Sequence, residues 1–61
     1  MWIDLTYKGD GYAQDVSVNM DLVFCFNDID TGGSILYSID ARHNIYVKES
    51  KDEIAKLMEE K

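Results

Sequence analysis

Tyr46-Val47-Lys48-Glu49-Ser50-Lys51-Asp52-Glu53-Ile54-Ala55-Lys56-Leu57-Met58 is the stretch in which the hydrophobic period of this chain changes. Up to Lys48 the chain reads as a final short strand, 45–48. After Ser50 the apolar residues Ile54, Leu57 and Met58 recur at spacings of three and four, which is one stripe of a helix. The junction carries its own start signal. In Ser50-Lys51-Asp52-Glu53 the serine hydroxyl and the glutamate three residues on can satisfy free amides at a helix start, and Asp52 and Glu53 suit the positive end of the helix dipole. A helix of about ten residues is too short to be stable alone, so it must pack on what precedes it through Ile54, Leu57 and Met58.

What precedes it reads as strands. Residues 2–7 place Ile3, Leu5 and Tyr7 on one face and Asp4 and Thr6 on the other. Lys8-Gly9-Asp10-Gly11 is turn chemistry. Residues 12–18 form a half-exposed second strand with Val16 and Val18 inward, and the two strands make a hairpin. Asn19-Met20-Asp21 breaks the alternation as a bulge or short turn. Leu22-Val23-Phe24-Cys25-Phe26 is continuously apolar, the pattern of a strand covered on both faces. A polar loop, 27–33, ends in Gly32-Gly33. A fourth strand, 34–39, carries Ile35, Tyr37 and Ile39 on one side. Residues 40–44 turn the chain into a short last strand, 45–48. Strands first and helix last give the α+β class: a small curved antiparallel sheet of about five strands, then one C-terminal amphipathic helix, in a single domain spanning residues 1–61.

Composition narrows the function. Six Lys and Arg stand against twelve Asp and Glu, for a net charge of −6. Phosphate backbones and anionic membranes are bound by basic residues, so neither nucleic acid nor a membrane surface is expected as a direct partner. No run approaches the roughly 20 apolar residues of a spanning helix, and no basic region leads into an apolar stretch at the N-terminus. The single cysteine, Cys25, fits a reducing compartment, and the expected location is cytoplasmic. One cysteine also rules out an internal disulfide, and one histidine with one cysteine cannot make a standard structural zinc site. A chain of this length is marginally stable by itself. Its 46% hydrophobic content and seven aromatics can supply a core. A two-sided apolar strand then points to a homo-oligomer, most simply a dimer, with Leu22, Phe24, Phe26 and Trp2 as the candidate interface.

The local strings resemble the FlbD family of small flagellar proteins. Leu5-Thr6, Gly11, Val18-Asn19-Met20-Asp21-Leu22-Val23 and Tyr46-Val47-Lys48-Glu49-Ser50 with Glu53-Ile54 match that family's pattern. Asn27–Gly33 is longer than the family's loop, and Ala41-Arg42-His43-Asn44 replaces its tight Asn-Gly turn. The resemblance implies the fold and a non-enzymatic, self-associating protein, and it carries over no catalytic residue.

Candidate chemistry is sparse. Cys25 lies in an apolar run with no base placed beside it, so it reads as a buried small hydrophobe rather than a nucleophile. Asp28-Ile29-Asp30-Thr31-Gly32-Gly33 opens like a calcium loop but puts Ile39 where the bidentate glutamate belongs, so no metal is expected. Gly32-Gly33-Ser34 leads into a strand, not a helix, and is no phosphate loop. Arg42, the only arginine, with His43, Lys48, Tyr37 and Tyr46, could hold a small anionic, nucleotide-like ligand by charge and stacking; the plainer reading is a solvated turn with Arg42 paired to Asp40. No set of residues fills nucleophile, base and oxyanion roles together. The expectation is a cofactor-free, non-enzymatic, acidic interaction module or regulator. The alternatives are a homo-oligomeric protein that sequesters a small ligand, of a kind a phage would encode, and, more remotely, an acidic mimic of nucleic acid.

Overall fold

A computed structural model describes residues 1–9, 13–40 and 43–60. Five strands, β1 (Trp2–Lys8), β2 (Ala13–Asn19), β3 (Val23–Asp28), β4 (Ser34–Ser38) and β5 (Asn44–Val47), precede one helix, α1 (Lys51–Glu59). The strands form one antiparallel sheet in the order β2-β1-β5-β4-β3. The α+β expectation therefore holds.

The connection between β2 and β3 sets the shape. These are the two edge strands, which would lie about 19 Å apart in a flat five-stranded sheet. Only a three-residue 3-10 turn, Met20–Leu22, joins them, with a rise of roughly 6 Å. The sheet must therefore curl until its edges approach at that corner. The Asn19 side chain caps the turn by accepting from the Asp21 amide. On either side, the Met20 amide donates to the Met1 carbonyl and the Ile39 amide donates to the Leu22 carbonyl. Inside the curl Ile3, Leu5, Met20, Leu36, Val47 and Ile54 form the core, with Val18, Val23, Phe26, Ile45, Leu57 and Met58 packed against it.

The helix starts as its sequence dictates. Ser50 accepts from the Glu53 amide and Glu53 accepts from the Ser50 amide, completing the capping box. The Asp28 carboxylate adds a tertiary tie by accepting from the Lys51 amide at 2.8 Å and from the buried Ser34 hydroxyl. Ile54 is fully buried, with Leu57 and Met58 partly so. Just before the helix, Glu49 accepts from the Thr6 amide at 2.8 Å and from the Thr6 hydroxyl at 2.9 Å. Its carboxylate takes the place of a strand carbonyl beyond the end of β5.

Several boundaries differ from the sequence reading. Leu22 belongs to the 3-10 turn, and the strand after it runs on through Asn27 and Asp28. The irregularity expected at Asn19–Asp21 is that turn, and the bulge lies instead between Val23 and Cys25. Residues 22–26 are not covered on both faces within the chain, since Phe24 is 76% exposed. Cys25 is half-buried rather than buried. The side of β4 that carries Tyr37 and, beyond the strand, Ile39 is the outer one; Leu36, on the opposite side, faces the core. Tyr12 and Arg42 lie outside the described residues.

Gly32 and Gly33 both take positive φ, 93° and 85°. At Gly32 a Cβ would meet open space, whereas at Gly33 it would be driven into the Val47 carbonyl oxygen. Gly32→Ala should therefore cost only the backbone penalty, about 1–2 kcal/mol. Gly33→Ala should cost about 3 kcal/mol or more, because β4 cannot then keep its place beside β5. Thermal denaturation followed by circular dichroism checks this; equal losses for the two variants would refute the close approach.

Candidate interaction surface

The strand register decides which side chains look outward. Across β3, β4 and β5 the pairs Cys25↔Tyr37, Asn27↔Ile35, Tyr37↔Asn44 and Ile35↔Tyr46 share one face. The pairs Phe26↔Leu36, Leu36↔Ile45 and Ser34↔Val47 share the other, which is the core side. The bulge in β3 inserts Phe24 between Val23 and Cys25. Bulges re-aim side chains, and here Phe24 joins Cys25, Tyr37, Ser38, Ile39 and Asn44 around an outer hollow of about 530 Å³.

This face has an unusual chemistry for an acidic chain. Phe24, Tyr37, Ile39 and Tyr46 are 76%, 36%, 61% and 46% exposed. The outward residues Phe24, Cys25, Asn27, Tyr37, Ile39, Asn44 and Tyr46 include no Lys, Arg, Asp or Glu, although 18 of the 61 residues are of those types. Ile35, on the same side, is only 8% exposed, and exposed Lys48 follows Tyr46 just past the end of β5. The outer face of β1 and β2 is different. It carries Asp4, Lys8 and Asp15, with Ser17 donating to Asp4 at 2.8 Å and Lys8 donating to the Thr31 and Gly32 carbonyls.

The four residues expected at an oligomer interface do not form one patch. Phe24 lines the outer hollow. Phe26 points to the core and packs against it. Trp2 and Leu22, 60% and 59% exposed, line a second concavity of about 330 Å³ at the β2–β3 corner, floored by Val16, Val18, Leu36 and Ile45. The candidate ligand set is also divided. Tyr37 and Tyr46 share the outer face, and Lys48 follows β5, its amide donating to the Thr6 carbonyl. His43 borders the corner concavity, with Nδ1 3.6 Å from the Asp40 carboxylate. Arg42 lies outside the described residues.

The turn around His43 is held by local bonds. The Ser38 hydroxyl donates to Asp40 at 2.5 Å and accepts from the His43 amide. The serine proton is thus directed at the carboxylate, and the hydroxyl serves the turn. The would-be calcium loop is likewise committed, since Asp28 holds the start of α1. Among the described residues no group of three or more His, Cys, Asp and Glu is arranged to hold a metal ion. No described helix is long and apolar enough to cross a membrane.

Sequence reasoning named Phe24, Tyr37 and Tyr46 but assigned them to two different sites, and it passed over Ile39 as a surface residue. The alternation of Ile35, Tyr37 and Ile39 was the available signal that these side chains stand together. No protein-family model, no curated protein sequence and no solved structure significantly matches this chain.

The two phenylalanines should separate on substitution. Phe24→Ser should change monomer stability by no more than about 0.5 kcal/mol, as exposed positions do. Phe26→Ala should remove about 3 kcal/mol by leaving a cavity beside the core. Urea denaturation read by Trp2 fluorescence in dilute samples, where association contributes nothing, distinguishes them. A large loss at Phe24 or none at Phe26 would contradict the assigned faces.

Proposed function

We propose that this chain is a non-enzymatic protein–protein interaction module that works through the outer face of β3, β4 and β5. The observation that carries this reading is the coincidence of exposed aromatics and the absence of acidic side chains among the outward strand residues on one face of a strongly acidic chain. Interface centres are depleted in charged residues and enriched in aromatics, and hot spots cluster where such side chains can be fully desolvated. The acids on the other surfaces keep the chain in solution and discourage contacts elsewhere. The resemblance to the FlbD family, which rests on the strings quoted above, implies a non-enzymatic, self-associating protein. A free cysteine suits action in the cytoplasm.

The test is a photo-crosslinker placed on this face. Benzoylphenylalanine replacing Phe24, irradiated in the cells that make the chain, should trap an adduct of discrete mass. The same group replacing Asp15, on the outer face of β2, should trap none. Equal labelling at both positions, or none at either, would reject the assignment.

A second reading has one observation in its favour. Tyr37 and Tyr46 stand on one face of adjacent strands with Asn44 between them, a platform on which a nucleobase could stack. In that case native mass spectrometry with a mixed nucleotide panel should find a bound mass. Arg42→Ala should abolish it without disturbing assembly, and unchanged affinity would remove Arg42 from the site.

A further inference from the structure

Phe24 and the hollow beside it are a projecting side chain and a receptacle on the same surface. The hollow, lined by Phe24, Cys25, Tyr37, Ser38, Ile39 and Asn44, has a volume of about 530 Å³. The hollow is a broad depression open to solvent, so a phenyl ring from a second molecule can lie across it, and the chain itself presents one on an edge strand, 76% exposed. A knob and a hole side by side on one patch are what a two-fold, isologous contact requires, because each copy must offer both.

We propose that the occupant of this face is a second copy of the chain, each copy placing Phe24 in the other's hollow. The proposal rests on the reading of this face as a docking surface and adds its partner and geometry. Charge selects the surface. Two copies of net charge −6 repel one another, and contacts through β1–β2 would oppose Asp4 and Asp15, while contacts through α1 would oppose Asp52, Glu53, Glu59 and Glu60. The outward residues within β3–β5 include no Lys, Arg, Asp or Glu, and the charge at the margin of this face, Lys48 just past β5, is opposite in sign to the chain's net charge, so association there buries no acid. The area also fits. With 150–250 Å² available for each aromatic side chain, the exposed parts of Phe24, Tyr37, Ile39 and Tyr46 sum to on the order of 400 Å². That is roughly half of the ~800 Å² each partner gives to a standard interface. The intervening Cys25, Asn27, Ser38 and Asn44 and the free edge of β3 extend the contact. The edge itself, Val23 to Asn27, carries no charged residue to block pairing, and natural edges are usually protected.

The experiment uses two variants and their mixture. Phe24→Ala removes the knob and one wall of the hollow but leaves the walls made by Cys25, Tyr37, Ser38, Ile39 and Asn44, and Asn44→Trp fills the hollow and keeps the knob. Sedimentation equilibrium should find the unaltered chain dimeric and each variant weakened by about 100-fold or more. An equimolar mixture should form a heterodimer in preference to either homodimer, because one knob-and-hollow contact is restored only between unlike chains. Circular dichroism confirms that both variants keep the fold. A dimer unaffected by Phe24→Ala, or variants that do not rescue each other, would overturn the geometry. An unaltered chain that stays monomeric to about 100 µM would overturn the second copy as partner. If the crosslinker at position 24 then traps a protein of different sequence, the docking face stands and only its occupant is wrong; if it traps nothing, both fall.

Discussion

The seam between β1 and β5 is the constraint on which the rest of the structure depends. On one side of it lies the hairpin β1–β2, and on the other the meander β3–β4–β5. The ladder across the seam is short, with Tyr7 opposite Val47 as its one registered pair. It is lengthened by the Lys48 amide on the Thr6 carbonyl and by the Glu49 carboxylate on the Thr6 amide and hydroxyl. Leaving the half-buried Thr6 amide without an acceptor would cost about 1–3 kcal/mol, a large share of the stability of a domain this small. The seam also brings Ile3 and Leu5 of one half against Leu36 and Val47 of the other, and lays Ile54 over all of them.

From the seam the outer face follows. Val47 must point inward to close the core, so Tyr46 must point out. Register then carries the same sense across the sheet, from Tyr46 to Ile35 and from Asn44 to Tyr37 and Cys25. The choice of inward residues at β4 is set by crowding. Ser34 sits fully buried where Asp28 holds the first turn of the helix. A bulky residue there would displace the helix start, so the bulk of β4 beyond Leu36 goes to the opposite side. Tyr37 and Ile39 therefore lie on the side of β4 away from Ser34 and Leu36.

The sequence disclosed the local features well. The capping box depends on residues within one turn of each other, and the β1–β2 hairpin on alternation bracketed by glycines, so both could be read without knowledge of the fold. The sense of β4 could not. Period two separates Ile35, Tyr37 and Ile39 from Ser34, Leu36 and Ser38, but it is silent on which set meets the core, and a hydrophobicity argument favours the bulkier one. The bulge at Phe24 was hidden for a different reason. In Val23-Phe24-Cys25-Phe26 every residue is apolar, and a run without alternation cannot reveal a shift in its own phase. For the same reason Phe24 and Phe26 looked equivalent, though one faces solvent and the other the core.

That hidden shift decides what the outer face presents. A regular β3 would point Phe24 and Phe26 to the same side and Cys25 to the other. Both rings would then compete for an interior already occupied by Leu36 and Met20, and the outer face beside Tyr37 would present the Cys25 thiol without a phenyl ring next to it. One inserted residue leaves Phe26 in the core and delivers Phe24 to the outside, beside a hollow that its own strand helps to line. The cost is an edge strand whose apolar side chain and unpaired backbone face water, a liability for a chain that stays alone. The same exposure is useful only if another surface regularly covers it, and the absence of charge around the hollow favours a surface of like chemistry.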